Sequence, residues 1–570
     1  MNQKGVLPKR RFPWIFPGLF VVVFSLGFLA VHESHNFKIA KNLEIFTNTI
    51  RELNLYYVDT IQPDKLVKSG IDAMLNTLDP YTVYIPESEM ANFRFMTTGQ
   101  YGGIGSLIRK EGDYAVISEL YKNFPADKAG LKVGDKIIKI DDISIKGLPL
   151  DKVSERLKGI PNTNVILTIS RYGIDKPLVK EITRNKISIS SVPYYGMIDD
   201  ETGYIRLVNF TSSAYKEVRE ALTDLLKKDH PQSVILDLRG NPGGLLLQAV
   251  DIVSLFVEKG QEVVSTRGKI ADFDHTYVTK LNPVDTQIRL AVLVNRGSAS
   301  ASEIVSGALQ DLDRAVIVGE RTFGKGLVQT TRPIGYNNQL KITTAKYYIP
   351  SGRCIQALDY SHRNPDGSVG HIPDSLISSY KTLHGRTVYD GGGIVPDVKV
   401  KENDFSPLTI NLYVGFQIFN FATRFASQHD SIPGPDRFSV TNDMLQQFLE
   451  YLHSIDFSYS TGSEESLNKL IATAKKEKYY DRAASEFTQL KTKLSHDLGT
   501  DFEMHRDEIS QLLKSEILGR YYYQSGRIQG SLPKDKIVGK AAGVLENKDT
   551  YKGILEGNMN TEEKISAAIH

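Results

Sequence analysis

The sequence predicts a multidomain α+β protein with an N-terminal membrane anchor, a small helical domain, a β-rich domain, an α/β core and a helical C-terminal extension. Three observations support this prediction. One uncharged stretch lies near the N-terminus, strand-like and helix-like runs alternate in the centre, and helical spacing of apolar residues returns in the tail. The length of 570 residues suffices for about three to five domains.

Composition excludes several classes of protein. The hydrophobic fraction of 41% and the charged fraction of 24% are typical of globular domains rather than of disordered chains. The 69 basic and 67 acidic residues nearly cancel, so no concentrated basic surface for nucleic acid is expected. Cys354 is the single cysteine, which excludes an internal disulfide framework and a cysteine-based zinc site. We expect neither a metal nor a cofactor.

The anchor is predicted from residues 14–31, which carry no charge. A helix of this length, at 1.5 Å per residue, roughly crosses the hydrocarbon core of a bilayer. The basic residues before it predict a cytoplasmic N-terminus, with the rest of the chain exported and the membrane as a partner of residues 14–31. The alternative is a cleaved signal peptide. We assign residues 1–35 to the cytoplasmic stub and anchor.

Two regions follow the anchor. In residues 36–96 apolar side chains recur at helical spacing, and a second amphipathic stretch ends at Asp79-Pro80, which predicts a helical domain. Residues 97–184 change character, because Tyr101-Gly102-Gly103-Ile104-Gly105 opens a series of short β-like runs. This second region is predicted to be a separate β-rich domain.

Residues 185–400 alternate strand, turn and helix, which predicts an α/β sheet. A strand-like run at 233–238 ends in a glycine-rich turn and is followed by an apolar helical stretch at 245–256. Further strands are predicted at 290–295 and 315–318. Residues 401–570 form a helical extension, and the helical ends of the chain are natural surfaces for a homo-oligomer or an adaptor.

Two motifs are misleading. The segment from Gly319 to Gly326 matches the phosphate-loop pattern G-x-x-x-x-G-K, but glycine stands where a serine or threonine hydroxyl must hold Mg²⁺. The segment His32-Glu33-Ser34-His35 is one residue shorter than the metal-binding pattern H-E-x-x-H, which needs both histidines on one helical face. Neither nucleotide nor metal binding is therefore expected.

Serine catalysis is the better hypothesis, although the chain has no G-x-S-x-G motif. A serine nucleophile needs a base, and histidine is not obligatory. His275 is the single histidine between 233 and 345, in a segment predicted to be a loop. Lys325, between two glycines, is the more suitable base. Gln329 follows four residues later and would share a face with Lys325 on an extended strand, where its amide could orient the amine.

An oxyanion hole is also predicted near Ser300, which lies where a strand gives way to a helix. The next backbone amide, of Ala301, is then a helix-start donor facing developing negative charge. The turn at Gly243-Gly244 also joins a strand to a helix, so Gly244 can bring a second amide to the crevice beyond the strand ends.

These segments together resemble a known family. The quoted motifs are Leu78-Asp79-Pro80-Tyr81-Thr82, Asp237-Leu238-Arg239-Gly240-Asn241-Pro242-Gly243-Gly244, Gly297-Ser298-Ala299-Ser300-Ala301-Ser302-Glu303-Ile304, the run from Val318 to Gln329, Thr343-Thr344-Ala345-Lys346-Tyr347-Tyr348 and Gly392-Gly393-Ile394-Val395-Pro396-Asp397. In sequence and order, over about residues 36–400, they resemble the carboxyl-terminal processing (tail-specific) serine peptidases.

The resemblance implies a serine endopeptidase with a Ser-Lys dyad. It implies Ser300 as the nucleophile, Lys325 as the general base, Gln329 as the residue that orients the lysine, and the amides of Gly244 and Ala301 as the oxyanion hole. Residues 185–400 would be the peptidase core, and residues 97–184 a PDZ domain.

The resemblance also implies how substrates are recognised. The loop Gly103-Ile104-Gly105 resembles the carboxylate-binding loop of a PDZ domain, whose backbone amides hold a peptide C-terminus while a strand pairs with its backbone. Protein or peptide chains with free C-termini are the partners implied. Together with the predicted anchor, the implied location is the bacterial cell envelope, at the inner membrane with the catalytic domains on the periplasmic side.

Two departures from the family pattern are visible. Lys158 stands where the family commonly has arginine, which removes a planar bidentate group from any docking contact, and Asn162 replaces a glycine. Residues 357–390 form an insertion, which we expect to be a surface excursion near the site.

Two rival functions remain: a catalytically silent envelope scaffold containing a PDZ domain, and a Ser-His hydrolase that uses His275.

Overall fold

The computed structural model describes residues 35–364, 366–402, 404–495 and 497–558. The chain divides after Tyr84 into two compact units. Residues 14–31, on which the predicted anchor rests, lie outside the described residues. Within the described ranges, no helix combines the length and the apolar character needed to cross a bilayer.

The first unit contains helices α1 (His35–Tyr56) and α2 (Pro63–Asn76), where helical spacing predicted them. Proline is tolerated at the start of α2 because the first turn of a helix leaves its N–H groups unbonded. After α2 the chain turns at Asp79, whose carboxylate accepts hydrogen bonds from the backbone N–H groups of Tyr81 and Thr82. No residue of α1 is buried.

Strand β1 (Val83–Ile85) lies at the junction, and helix α3 (Met90–Thr98) follows it. The β-rich region then closes on itself, because its first strand, β2 (Gln100–Gly103), pairs antiparallel with its last, β9 (Asn185–Ser188). Between them lie β3 (Ser106–Glu111), β4 (Tyr114–Leu120), α4 (Pro125–Lys128), β5 (Lys136–Ile140), β6 (Ile143–Ser144), α5 (Leu150–Leu157), β7 (Asn164–Ser170) and β8 (Leu178–Thr183).

These inner strands form one antiparallel sheet in the order β3-β4-β5-β7-β8, with β6 beside β5. The sheet and the two helices enclose an apolar core that includes Ile117, Ile137, Val153 and Leu167. Since β2 and β9 are neighbours, the chain enters and leaves this region side by side.

The strands that lead to the glycine turn and to Ser300 belong to a central six-stranded sheet in the order β10-β11-β12-β15-β16-β23, parallel except for β10. Its strands are β10 (Tyr194–Met197), β11 (Thr202–Arg206), β12 (Ser233–Asp237), β15 (Arg289–Val294), β16 (Val316–Gly319) and β23 (Val398–Lys399). One face is covered by α6 (Ala214–Lys228), α7 (Leu246–Val253) and α8 (Ala301–Asp311). The α/β alternation predicted for this region is therefore present.

A second antiparallel sheet stands beside this core, in the order β17-β18-β13-β14 along its connected strands. Its strands are β13 (Glu262–Gly268), β14 (His275–Val278), β17 (Leu327–Gly335) and β18 (Asn338–Tyr348). His275 opens β14, so the loop predicted around it ends one residue earlier than expected. The insertion forms two hairpins, β19 (Leu358–Arg363) with β20 (Val369–His371), and β21 (Ser379–Lys381) with β22 (Thr387–Tyr389).

The rest of the described chain is helical, as predicted. Its helices are α9 (Pro407–Val414), α10 (Gln417–Gln428), α11 (Asn442–Ser454), α12 (Gly462–Lys476), α13 (Ala484–Leu494), α14 (Leu498–Met504), α15 (Arg506–Ser531), α16 (Lys536–Glu546) and α17 (Lys548–Leu555). Helices α9, α10, α11 and α15 share apolar clusters of their own.

The last two helices do not belong to those clusters. Side chains of α16 and α17 pack on the second face of the central sheet, against Tyr204, Ile235, Leu293 and Val318. Neighbouring strand residues such as Ile205, Leu236, Val292 and Ile317 point to the first face, as the two-residue period of a strand requires. The central sheet is thus the middle layer of three, and its outer layer comes from residues that the sequence analysis assigned to a separate extension.

Candidate active site

Ser300 lies at the carboxyl end of β15, in the position just before α8. Its backbone has φ 57° and ψ −114°, a region that residues with a side chain rarely occupy. Such strain persists only where the surroundings hold it, and it is concentrated at functional sites. The crevice beyond the ends of parallel strands is also the usual ligand site of an open α/β sheet.

The glycine turn lies directly against this serine. A Cβ atom on Gly243 would stand 2.7 Å from the carbonyl oxygen of Ala299 and 2.9 Å from the Cβ of Ser300. Gly243 and Gly244 have φ of 97° and 150°. Among the described residues, the backbone N–H groups of Gly244 and Ala301 make no hydrogen bond. Two unoccupied donors on the segments that flank Ser300 are what an oxyanion hole requires.

Glu303, in the first turn of α8, joins the serine segment to the lysine segment. Its fully buried carboxylate accepts hydrogen bonds from the backbone N–H groups of Ser300 (2.8 Å), Gly324 (2.7 Å) and Lys325 (2.9 Å), and from the hydroxyl of Thr322 (2.6 Å). Burial raises the pKa of Glu303 to about 7, although the four donors favour the ionised form. Glu303 lies within a motif that predicts the family, but no role for its carboxylate was predicted from the sequence.

Lys325 lies in a turn that is fixed from several sides. The hydroxyl of Tyr347 shares its one proton between the backbone carbonyls of Lys325 and Ser300, which it joins. The N–H of Gly326 donates to the side-chain carbonyl of Gln356 at 2.8 Å. A Cβ atom on Gly324 would stand 2.4 Å from the Cβ of Ala357, so glycine is required there. The turn thus places the Lys325 backbone beside the serine segment.

Gln329 lies on β17, as predicted, but the strand argument that linked it to Lys325 fails. The strand begins at Leu327, after the lysine, and its register shifts between Val328 and Gln329. Alternation of side chains along a regular strand therefore does not extend from 325 to 329. The amide of Gln329 donates to the carbonyl of Leu327 and to the hydroxyl of Thr343, both at 3.3 Å. Its role toward the lysine stays a prediction.

His275 is exposed, and its ring packs edge-on against Tyr277. Nothing in these contacts brings it to Ser300. Among the described residues, no group of three or more histidine, cysteine, aspartate or glutamate side chains could hold a metal ion.

A buried ion network lies behind the glycine turn. The carboxylate of Asp237, at the end of β12, contacts the guanidinium groups of Arg206 and Arg239, each at 2.6 Å, and the hydroxyl of Tyr204 at 2.7 Å. Burial opposes ionisation of Asp237, but the two arginines outweigh it and hold its pKa well below the usual range. Arg239 also donates to Asp535 at 2.7 Å. The network was not predicted from the sequence, because Arg206, Tyr204 and Asp535 are far from the Asp237-Leu238-Arg239 segment in the chain.

The predicted carboxylate-binding loop is tightly backed. The N–H of Ala126 donates to the carbonyl of Ile104 at 2.8 Å. Gly105 has φ 78°, and a Cβ atom there would stand 2.5 Å from the Cβ of Phe124. The ring of Tyr101 lies over Gly103, and burial raises the pKa of Tyr101 to about 12, against a hydrogen bond from the Gly105 backbone.

The two departures noted in the sequence have structural counterparts. The amine of Lys158 donates to the side-chain carbonyl of Asn92 at 2.9 Å and lies 5.7 Å from the centre of the Tyr101 ring. Asn162 has φ 69°, which asparagine tolerates. The insertion begins at the lysine turn, because the N–H of Ala357 donates to the carbonyl of Gly324 at 2.9 Å.

Comparison with known families gives three matches. Residues 201–369 match the model of "Peptidase family S41", residues 116–171 match "PDZ domain", and residues 408–545 match "Probable PDZ-protease, C-terminal helical domain".

Comparison with individual proteins agrees. A "Carboxy-terminal-processing protease" of Bartonella bacilliformis is 37% identical over 347 residues, which cover 60% of this chain and 79% of that protein. A "Probable CtpA-like serine protease" of Staphylococcus aureus is 32% identical over 442 residues, covering 75% and 84% of the two chains. The solved structure of a photosystem II D1 C-terminal processing protease matches with 28% identity and a TM-score of 0.34, covering 62% of this chain and 92% of that one.

Proposed function

The chain belongs to the carboxy-terminal-processing serine proteases of peptidase family S41, and on that basis we propose that Ser300 and Lys325 are its catalytic dyad. The observation that supports this most directly is Glu303, whose carboxylate bonds the backbones of both residues within 2.9 Å. One buried anchor that holds two segments together is expected where two side chains must act on the same atom.

The proposed reaction is acyl transfer. The amine of Lys325, in its neutral form, takes the proton of the Ser300 hydroxyl as the oxygen attacks the scissile carbonyl. The amides of Gly244 and Ala301 stabilise the negative oxygen of the tetrahedral intermediate. The ammonium then returns a proton to the leaving amine, and water releases the acyl group by the same steps. Gln329 is proposed to orient the lysine.

Three substitutions test this assignment. Ser300→Ala and Lys325→Ala should abolish cleavage of a protein substrate with an unstructured tail. Lys325→Arg should be equally inactive, because a guanidinium cannot be deprotonated in the working range of pH. Cleavage is measured from about pH 6 to 10 for each variant and for wild type. Substantial activity in Lys325→Arg, with Ser300→Ala inactive, would identify another group as the base. Activity lost in His275→Ala would identify that group as the histidine.

We further propose that the loop Gly103-Ile104-Gly105 binds the free C-terminus of the substrate. A match to the PDZ family and the left-handed Gly105, which lets the loop turn tightly, support this proposal. Amidating the C-terminus of a good peptide substrate removes the carboxylate, so binding or cleavage should weaken. Equal turnover of free and amidated peptides, across several tails, would refute it.

Location is proposed from sequence alone. Residues 14–31 would anchor the chain in the inner membrane of a bacterial envelope, with the catalytic regions on the periplasmic side and exported proteins as substrates. Fractionation of cells into membrane and soluble parts tests this proposal.

A further inference from the structure

Helix α15 reverses direction at Tyr523. This residue has φ 59° and ψ −158°, which are not helical values. The two halves of α15 then lie against each other, since a Cβ atom on Gly530 would stand 2.1 Å from a methyl carbon of Leu518. A bulky residue in this conformation is a strained exception, so its surroundings must compensate.

Three consecutive tyrosines at this reversal bond to different parts of the chain. The hydroxyls of Tyr521 and Tyr522 donate to the backbone carbonyls of His429 and Ile432, which belong to the same helical extension. The hydroxyl of Tyr523 instead donates to the carboxylate of Asp127, in the PDZ region, at 2.7 Å. Its ring packs against the apolar core of that region.

Asp127 belongs to the segment that backs the carboxylate-binding loop. Its second carboxylate oxygen accepts a hydrogen bond from the N–H of Asn123 at 2.7 Å. Between these two residues lie Phe124, against Gly105, and Ala126, whose N–H holds Ile104. Tyr523 is therefore attached to the short segment that forms the rear wall of the loop.

The other end of the same stretch of chain contacts the catalytic sheet. Asp535, twelve residues after Tyr523, is the N-terminal cap of α16 and accepts hydrogen bonds from the N–H groups of Ile537 and Val538. It also forms the ion pair with Arg239, which is bound to Asp237 just before the turn to Gly244. Between Tyr523 and Asp535, the guanidinium of Arg527 lies 3.6 Å from the carboxylate of Glu119, in the PDZ region.

We propose that Tyr523 is a positioning residue that couples the binding of a substrate tail to cleavage. Tyr523 fixes the segment behind the carboxylate-binding loop by its bond to Asp127. The same stretch of chain continues to Asp535, which binds Arg239 just before the Gly243-Gly244 turn. The position of the loop is thereby fixed relative to the turn that carries the proposed oxyanion donor Gly244. This proposal rests on the proposed function, in which the loop binds the free carboxylate of the tail. The contacts on which the coupling depends are the hydrogen bond from Tyr523 to Asp127 and the ion pair of Asp535 with Arg239.

The experiment compares Tyr523→Phe with Tyr522→Phe in the full-length chain. Both variants lose one hydroxyl at the same helical reversal and keep the ring, so they are matched in size and place. The substrate is one peptide, in free-acid and amidated forms. The readout is the ratio of kcat for the two forms, and the affinity for the free-acid peptide is measured separately in a Ser300→Ala background.

In wild type and Tyr522→Phe the ratio should favour the free acid equally. In Tyr523→Phe it should approach one, changing by about tenfold, the scale of one hydrogen bond to a charged acceptor. The peptide affinity should stay within about twofold, because the tail is held by loop amides and by β3, which the substitution leaves intact.

Two results would overturn the coupling role. One is a Tyr523→Phe variant whose kcat ratio equals that of wild type. The other is a variant in which peptide affinity falls as much as kcat/KM, since Tyr523 would then only shape the binding loop. A wild-type ratio of one is a different failure, because it refutes tail recognition itself before any variant is compared.

Discussion

At the scale of single residues, the site depends on positions where only one chemical type fits. Ser300 occupies a strained backbone conformation, and its backbone is held by the carboxylate of Glu303, in the helix that follows, and by the hydroxyl of Tyr347, on β18. Strain of this kind costs of order 1–3 kcal/mol, so the anchors must be formed before the serine can adopt its position.

Replacing Glu303 with glutamine should change the pH dependence of cleavage. The ionised carboxylate only accepts hydrogen bonds, and it has four donors around it. Since its pKa is raised to about 7, protonation below that pH adds a donor that faces other donors. With Lys325 as the proposed base, cleavage in wild type needs both Glu303 and the lysine deprotonated, so log(kcat/KM) should rise with a slope near two at low pH.

In Glu303→Gln one of these two protons no longer titrates. The slope at low pH should fall to about one, and kcat should drop about 10- to 100-fold because the amide NH₂ opposes the surrounding donors. A profile for Glu303→Gln that overlays that of wild type after scaling would show that this carboxyl does not titrate in the working enzyme.

Replacing Gly243 with alanine should impair catalysis by contact rather than by backbone strain. The new methyl group would press on the Ala299 carbonyl and the Ser300 Cβ, both closer than 3 Å. We expect a fall in kcat of about 10²–10³, as when an oxyanion donor is lost. Gly240→Ala is the matched control, because Gly240 also has positive φ, at 67°, but its added methyl meets nothing within 4 Å. Equal losses in the two variants would mean that strain alone is responsible.

Sequence reasoning found the residues of the site that lie in local patterns and missed those that act across the chain. Ser300, Ala301 and Gly244 are at strand-to-helix turns, which a sequence reveals through glycine and small residues. Glu303 gains its role from contacts 19 to 22 positions away, and Asp237 from partners as distant as Asp535 through Arg239. Both carboxylates have these roles because they are buried among hydrogen-bond donors. A local sequence pattern does not predict which carboxylates are buried.

At the scale of elements, helix α8, which follows the proposed nucleophile Ser300, is held at its far end by a buried ion pair. Asp311 ends α8, and Arg353, only 1% exposed, contacts its carboxylate at 2.8 Å. Arg353 also donates to the side-chain carbonyl of Gln310 and to the backbone of Tyr389, in the insertion. The insertion is therefore tied to the catalytic helix as well as to the lysine turn.

Arg353→Met should lower the free energy of unfolding by about 3–5 kcal/mol, because it leaves Asp311 buried without its partner. The double variant Arg353→Met with Asp311→Leu should recover part of this loss. Urea denaturation measures both. As a control, Lys152→Met removes one side of the exposed pair with Glu155 and should leave the midpoint unchanged. A wild-type midpoint for Arg353→Met alone would mean that the pair contributes nothing to folding.

Elements were predictable where periodicity is strong. The central strands and the helices of the tail lie where spacing predicted them. The reversal within α15 was not predictable, since Tyr523 carries no turn signal and the residues around it continue a helical pattern. Local propensity opposes a positive φ at tyrosine, and here that conformation occurs together with a tertiary contact, the hydrogen bond from the Tyr523 hydroxyl to Asp127.

At the scale of the whole molecule, removal of residues 1–33 should give a soluble protein that is still active. The reason is that residues 14–31 are the long uncharged stretch of the sequence and precede every candidate catalytic residue. Activity toward a tailed protein is compared in the soluble and membrane fractions of cells expressing each form. If the shortened protein stayed with membranes, a second attachment site would exist elsewhere in the chain.

The three-layer arrangement has a consequence for how the protein is made. One face of the catalytic sheet is covered by α16 and α17, and residues as late as Tyr551 and Ile554 contribute to that cover. A growing chain emerges from its N-terminus, so Ser300 and Lys325 are synthesised more than two hundred residues before their sheet can be completed. We therefore expect the protease to stay inactive, with one face of its sheet uncovered, until nearly all of its chain has been made. We expect a message truncated shortly before its end to yield an aggregation-prone fragment rather than an unregulated enzyme.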